Sequence, residues 1–305
     1  MELRQFQYAI QIAEERNFSR AAEKLHIAQP SLSQQLSKLE KEIGVLLFQR
    51  NTNSVEITHA GSVFVEKAQK ILDMVAQLKQ EMEDLSQMRK GRLVVGSLPI
   101  TGSHILPLVL PVFQQRYPEI EIVLVEETSS HLESLTSNGQ TDISLLSLPL
   151  HENSLTCQTL IEEEICLAVP PQHTLAANDN HKQIVHIADL HNEPFIILKK
   201  GQGFRQITVE LCQAVGFEPR IVFESSNIET VQSLVAAGMG IAFVPSMVAR
   251  EQGSAFAPVY LPLVGKPSRT LVIAYRKGRY LSKAAEAFIA TLLEVTKLGL
   301  NRPPL

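Results

Sequence analysis

The chain has 305 residues, 45% of them hydrophobic and 20% charged, which is enough for two or three domains with real cores. A formal net charge of -4, with twelve Lys/Arg against twelve Asp/Glu in residues 1–90, excludes nucleic-acid binding driven by bulk charge, so any grip on phosphates must come from local arrangement. Cys157, Cys166 and Cys212 are far apart with no CxxC spacing, no apolar run approaches ~20 residues, and the start MELRQFQYAIQIAEER is charged throughout; no disulfide framework, cysteine zinc site, leader peptide or membrane span is expected, and a cytoplasmic protein is.

Residues 2–15 predict a first helix with Leu3, Phe6, Ile10 and Ala13 on its buried face. Ser19 is the expected N-cap of a second helix carrying Ala21, Ala22 and Leu25. The chain breaks near residues 26–28 and restarts at Gln29 and Pro30, with proline suited to a first helical turn. In this third helix Leu32, Leu36, Leu39 and Ile43 form one buried stripe, leaving Ser31, Ser33, Gln34, Ser37 and Lys38 outside. A helix lying in a DNA major groove needs such a face of short donors and acceptors. An ordinary helical hairpin with a solvated polar face would show the same stripe. Gly44 ends the helix, Asn51–Ser54 forms a turn, and Val55 and Ile57 alternate as a return strand. The result is a wing whose best phosphate contact is Arg50.

From Thr58, a plausible cap, the period changes. Phe64, Ala68, Ile71, Val75, Leu78, Met82 and Leu85 step alternately by four and three, the repeat of a coiled-coil seam. One helix cannot bury a seam, so a second copy of the chain is the expected partner, and a dimer of winged helices fits a two-fold symmetric DNA site. Packing of this helix on its own domain is the alternative.

The string FSRAAEKLHIAQPSLSQQLSKLEKEIGVLLFQR, then VEITHAG, a long helix and a two-part α/β region resembles the LysR-type transcriptional regulators over essentially the whole chain. The resemblance implies that the helix opening at QPS reads the major groove and that the wing arginine touches DNA. By motif position these are Gln29, Pro30, Ser31, Ser33, Gln34, Lys38 and Arg50. There is one departure: a second basic residue often follows the wing arginine in that family, whereas this chain has Asn51, Thr52, Asn53 and Ser54. The resemblance also implies tetramers built as pairs of dimers, and an effector domain like a periplasmic binding protein.

Beyond residues 88–91, strand and helix patterns alternate. Strands are expected at 92–97, 120–126, 142–148, 164–170, 195–198, 220–224, 240–245 and 269–275, with helices from 99, at 129–138, 204–215 and 227–237, and finally at 281–297. Such alternation predicts parallel sheets. Two lobes, crossed by the chain near Ile165–Ala168 and again near residues 268–270, would enclose a cleft. Ligands of open α/β sheets bind at the carboxyl ends of strands, against helix N-termini. That rule, with the resemblance, selects Pro99, Ile100, Thr101, Ser103, Ser129, Ser147, Gln202, Gly203, Phe204, Asn227 and Phe243 as candidate effector contacts. Their hydroxyls and amides suit a small polar or anionic molecule, with Lys199, Lys200 or Arg205 adding charge; helix capping and solvated lysines are the plainer account of the same residues.

Enzyme motifs are lacking. The Gly-Gln-Gly at 201–203 has no third glycine, there is no GxxxxGK[ST] or GxSxG, and His173, His181, His186 and His191 match no metal spacing. A binding protein or enzyme carrying an accessory helix-turn-helix remains the competing class. The sequence therefore predicts an α+β multidomain chain: a winged helix-turn-helix at 1–58, a coiled-coil linker helix at 59–90, and a two-lobed α/β domain at 91–305, with lobe 1 about 91–165 and 269–305 and lobe 2 about 166–268. The expected partners are a double-stranded inverted-repeat operator, further copies of the chain and, for an activator, RNA polymerase. A small-molecule effector is expected, with no metal, cofactor or membrane.

Overall fold

The computed structural model describes residues 1–50, 55–85, 91–176, 184–250 and 256–299, in two compact units that divide near residue 88. The expected turn at Asn51–Ser54, the side chains of Arg50 and Leu85, the linker end at 88–90 and His181 lie outside the described residues. None of the described helices is long and apolar enough to cross a membrane.

The first unit contains α1 (Leu3–Glu15), α2 (Phe18–Lys24), α3 (Gln29–Ile43), β1 (Phe48–Arg50), β2 (Val55–Ile57) and α4 (His59–Leu85). Leu32, Leu36 and Leu39 are buried as their spacing requires, against Ala9, Ile12, Ala21 and Ala22. Gly44, at φ +79°, closes α3 in the left-handed conformation. Two expectations need correction. The buried face of α1 is rotated: Leu3 is 44% exposed, and the inward residues are Gln5, Phe6, Ala9 and Ile12. A buried glutamine is tolerable there because its Oε1 accepts the Glu2 N–H at 2.9 Å and its Nε2 donates to Gln35 at 3.4 Å. The cap of α2 is Asn17, not Ser19; its side-chain oxygen accepts from the Ser19 and Arg20 amides at 2.9 and 3.0 Å. Asparagine caps as well as serine, and starting two residues earlier lets Phe18 point into the core.

β1 and β2 pair antiparallel, Phe48 opposite Ile57. Thr58 caps α4 as expected, its hydroxyl accepting the Gly61 N–H at 2.9 Å. The first seam residue, Phe64, packs edge-to-face on Phe6 at 5.5 Å within the same unit. Further along, Ile71 is 40%, Leu78 59% and Met82 50% exposed, so the described residues leave that part of the seam largely uncovered.

The second unit comprises β3 (Gly91–Ser97), α5 (Pro99–Arg116), β4 (Ile120–Glu126), α6 (Ser129–Ser137), β5 (Ile143–Ser147), β6 (Leu155–Val169), β7 (Pro194–Leu198), α7 (Gly203–Gln213), β8 (Arg220–Ser225), α8 (Ile228–Ala236), β9 (Ala242–Pro245), β10 (Val259–Pro262), β11 (Ser268–Arg276) and α9 (Lys283–Gly299). Its sheets are mixed rather than parallel. β3 lies parallel to β4 and β5, and β7 to β8, but β6, β9, β10 and β11 join antiparallel. The fifteen-residue β6 belongs to both lobes: residues 155–164 pair with β11, and 165–169 pair with β9 and β10. Two cores result, one around Val95, Phe113, Ile273 and Phe288 and the other around Phe195, Phe204, Val231 and Phe243.

The first crossing therefore falls between Glu164 and Ile165 inside a continuous strand, rather than at the start of a new one. The second falls at Pro267–Ser268, beside it, where the Ile165 N–H donates to the Pro267 carbonyl at 2.8 Å. Three consecutive glutamates hold this ribbon. Glu162 accepts from the Ser268 hydroxyl at 2.8 Å, Glu163 faces Arg269 at 2.7 Å, and Glu164 faces Lys266 at 3.2 Å. Only the middle pair is out of water, with Arg269 1% and Glu163 4% exposed. Glu163 also accepts the Met247 N–H at 2.7 Å, and the guanidinium lies over the Phe204 ring at 5.4 Å.

Removing one member of a buried pair leaves the other charge dehydrated. Glu163→Gln is expected to destabilise the second unit by about 3 kcal/mol, read from urea unfolding, while replacing both Glu163 and Arg269 by Met recovers most of that loss. An unchanged midpoint for the single variant would mean that the guanidinium reaches water.

Candidate functional site

On α3, Gln29, Pro30, Ser31, Gln34 and Lys38 are exposed and Ser33 is half-buried. The buried leucine stripe fixes which way they point. Pro30 and Gln29 open the helix, where the backbone amides lack intrahelical acceptors and favour an anion. Gln34 can offer an acceptor and a donor together to an adenine edge, and Lys38, one turn on, a charge to guanine or phosphate. Lys38 is free for this apart from a surface contact at 4.0 Å with Glu2, worth little in water. Arg50 ends β1 opposite Val55.

In the second unit, Thr101, Ser129 and Ser147 follow or end β3, β4 and β5. Because these strands run parallel, the three lie at one edge of lobe 1. Pro99 is exposed at the first turn of α5, and Ile100 packs against the core of lobe 2. Thr101 is fully buried, and its Oγ1 has no hydrogen-bond partner. The Ser103 hydroxyl, exposed, donates to the Pro99 carbonyl at 2.8 Å. From lobe 2, the Gly203 N–H donates to Ser129 Oγ at 3.2 Å, and a Cβ on Gly203 would sit 2.7 Å from that oxygen. The first turns of α6 and α7 thus face one another, amide against hydroxyl, in a cleft that leaves no room for a side chain at position 203. Gln202 precedes it, half-buried.

Other candidates are placed differently. Phe204 and Phe243 belong to the core of lobe 2, with Phe204 roofing Arg269. Asn227 caps α8, accepting the Glu229 N–H at 2.7 Å. Arg205 is bound to Glu224 and to the Leu198 carbonyl, at 2.6 and 2.8 Å, which occupies its charge. Lys199 and Lys200 are exposed. Sequence reasoning missed two neighbours of the cleft: Arg269 with Glu163, and Glu126, whose Oε1 would meet a Cβ on Gly102 at 2.8 Å. The run of three glutamates in an otherwise apolar strand was the available signal for the first.

Cys157 is exposed, and the other two cysteines are turned inward. Cys212 is buried, and Cys166 turns its thiol inward to the Val244 carbonyl at 3.5 Å; burial pushes both thiols up to about 12. Among the described residues no group of His, Cys, Asp and Glu could hold a metal ion.

A winged helix-turn-helix with an exposed polar reading face, joined to a two-lobed α/β domain with a polar cleft, defines a DNA-binding regulator with a small-molecule-binding module. Comparisons with known proteins agree. Residues 3–62 match the bacterial regulatory helix-turn-helix protein family of LysR type, and residues 86–297 match the LysR substrate binding domain. The HTH-type transcriptional regulator YcgK of Bacillus subtilis is 40% identical, over 97% of this chain and 95% of its own length. The transcriptional dual regulator OxyR of Escherichia coli is 31% identical, over 94% and 93%. Full-length OxyR of Pseudomonas aeruginosa superposes with a TM-score of 0.76 at 27% identity, covering 100% of this chain and 98% of that one. The chain belongs to the LysR family of transcriptional regulators, whose named relatives here are regulators rather than enzymes.

Gln34→Ala is expected to lower the preference for operator over scrambled DNA by roughly tenfold, the cost of one bidentate base contact. Competition binding measures this directly, and an equal loss on both duplexes would remove Gln34 from the base-reading set.

Proposed function

We propose that this regulator binds an inverted-repeat operator as a homo-oligomer, in the cytoplasm, and that a small polar or anionic metabolite in the cleft between the lobes alters that binding. Where it activates, RNA polymerase is the further partner. The observation that carries the effector reading is Thr101: a fully buried hydroxyl with no hydrogen-bond partner among the described residues, at a helix start and beyond the carboxyl ends of the parallel strands β3, β4 and β5. An unmet buried polar atom is costly unless something fills the need. A carboxylate or hydroxyl near the first turn of α5 would do so, and the Ser129 hydroxyl, whose oxygen accepts the Gly203 N–H, can still donate to it. Effector and operator then share one coupling free energy, so each must change affinity for the other.

Several relatives are named hydrogen peroxide-inducible genes activators, at 30–31% identity. A peroxide-sensing thiol reacts as the thiolate. In this chain Cys166 and Cys212, with thiols pushed up to about 12, are suited to packing rather than to that chemistry, and Cys157 is exposed.

The test is a gel shift on the DNA flanking the gene, repeated with pools of metabolites. A pool that changes operator affinity of the native protein and leaves Thr101→Val unresponsive supports the cleft; an equal response in both would place the effector elsewhere. Self-association is supported by the exposed apolar residues of α4. Leu78→Asp is expected to halve the sedimentation mass and weaken operator binding at least tenfold, since one head makes only half of the contacts; an unchanged mass would show that α4 is not the pairing helix.

A further inference from the structure

We propose that Glu40 is a positioning residue for DNA binding, setting the wing against the reading helix so that the wing meets the DNA backbone. Glu40 lies on α3 but cannot touch a base. At 100° per residue it sits about 150° around the helix from the mean direction of Ser31, Gln34 and Lys38. Its carboxylate points instead to the start of the wing: Oε1 accepts the Leu47 N–H at 2.7 Å and the Phe48 N–H at 3.2 Å. An ionised acceptor shared by two amides is among the stronger hydrogen-bonding arrangements open to a short loop.

The same peptide is gripped from the other side. The Leu47 carbonyl accepts the Thr58 N–H at 3.0 Å and the Thr58 hydroxyl at 3.1 Å, and that hydroxyl also lies 2.8 Å from the Leu46 carbonyl. A Cβ on Gly61 would stand 2.1 Å from the Leu47 carbonyl oxygen, so the first turn of α4 rests directly on this peptide. The Leu47 side chain is fully buried. Residues 46–48 are thus clamped between α3, through Glu40, and the start of α4, through Thr58. β1 leaves this clamp and ends at Arg50, three residues on, so its direction is inherited from the clamp. Truncating Glu40 frees one side of it while leaving the leucine stripe beneath the reading face in place.

The proposal rests on the wing contacting phosphates, and Arg50→Ala is the control for that premise. With the full-length protein, fluorescence anisotropy on an operator fragment and on a scrambled duplex is measured from 50 to 200 mM salt. Arg50→Ala should flatten the salt slope by about 1. Glu40→Ala should weaken binding to both duplexes on the order of tenfold, flatten the slope similarly and leave their affinity ratio unchanged. Glu40→Gln, which keeps an Oε1 acceptor, should recover at least half of the loss. Thr58→Val, cutting the clamp from the other side, should reproduce the flattening, and it decides the matter if Glu40→Ala melts below the assay temperature. A changed affinity ratio in Glu40→Ala would mean that α3 itself has shifted, and would overturn the proposal. So would a lowered melting temperature with unaltered binding, or a failure of Gln to rescue. If Arg50→Ala leaves the slope intact, the wing premise falls and the proposal with it; a flattened slope there with a native slope in Glu40→Ala removes Glu40 alone.

Discussion

The ribbon formed by β6 and β11 at the lobe boundary is the constraint on which the effector domain depends. Two separate connections would let the lobes hinge freely. Here the connections are adjacent strands, joined by a backbone hydrogen bond and by side chains on three successive residues of β6. At the centre lies a charge pair that its mutual contact, the Met247 amide and the Phe204 ring make tolerable in a dry environment. The guanidinium supports the Phe204 ring, and Phe204 follows the glycine that meets Ser129. The base of the cleft is thus linked through a short run of contacts to the glycine that meets Ser129.

In the first unit, one short peptide between the reading helix and the wing has a similar part. Its amides end on α3 and its carbonyls on the start of α4. Hydrogen bonds of residues 46–48 to Glu40 and to Thr58 thus tie the reading helix to the beginning of the linker helix.

Much of this was legible in the sequence because it follows from periodicity. Leu32, Leu36 and Leu39 fix the reading face of α3, Gly44 its end, and the alternating four-and-three steps identify α4. What escaped was set by tertiary partners. Gln5 is buried because Glu2 and Gln35 satisfy it, which no hydropathy pattern announces, so the face of α1 came out rotated. Asn17 and Ser19 are equally good caps on paper, and Phe18 decided between them. The amino-terminal two-thirds of β6, with its polar EEE run, does not read as a strand until β11 is placed beside it, more than 100 residues away in sequence (Arg269 to Glu163). Of the cleft candidates, strand-end reasoning brought Thr101, Ser129 and Gly203 to one place. It also gathered Asn227 and Phe243, whose positions are explained by capping and by core packing.

The shared strands also govern the order in which the domain is made. Lobe 2 is an insertion, and its core draws on residues 165–263, which leave the ribosome as one run. Lobe 1 has to wait. Its sheet lacks β11, and its core lacks Leu271, Ile273, Phe288 and Leu292, until the chain beyond lobe 2 has been synthesised. Contacts across such sequence separations form slowly, because the loop must close before they are rewarded. The half-lobe formed by β3, α5, β4 and β5 thus keeps an apolar surface open until α9 has been made to cover it.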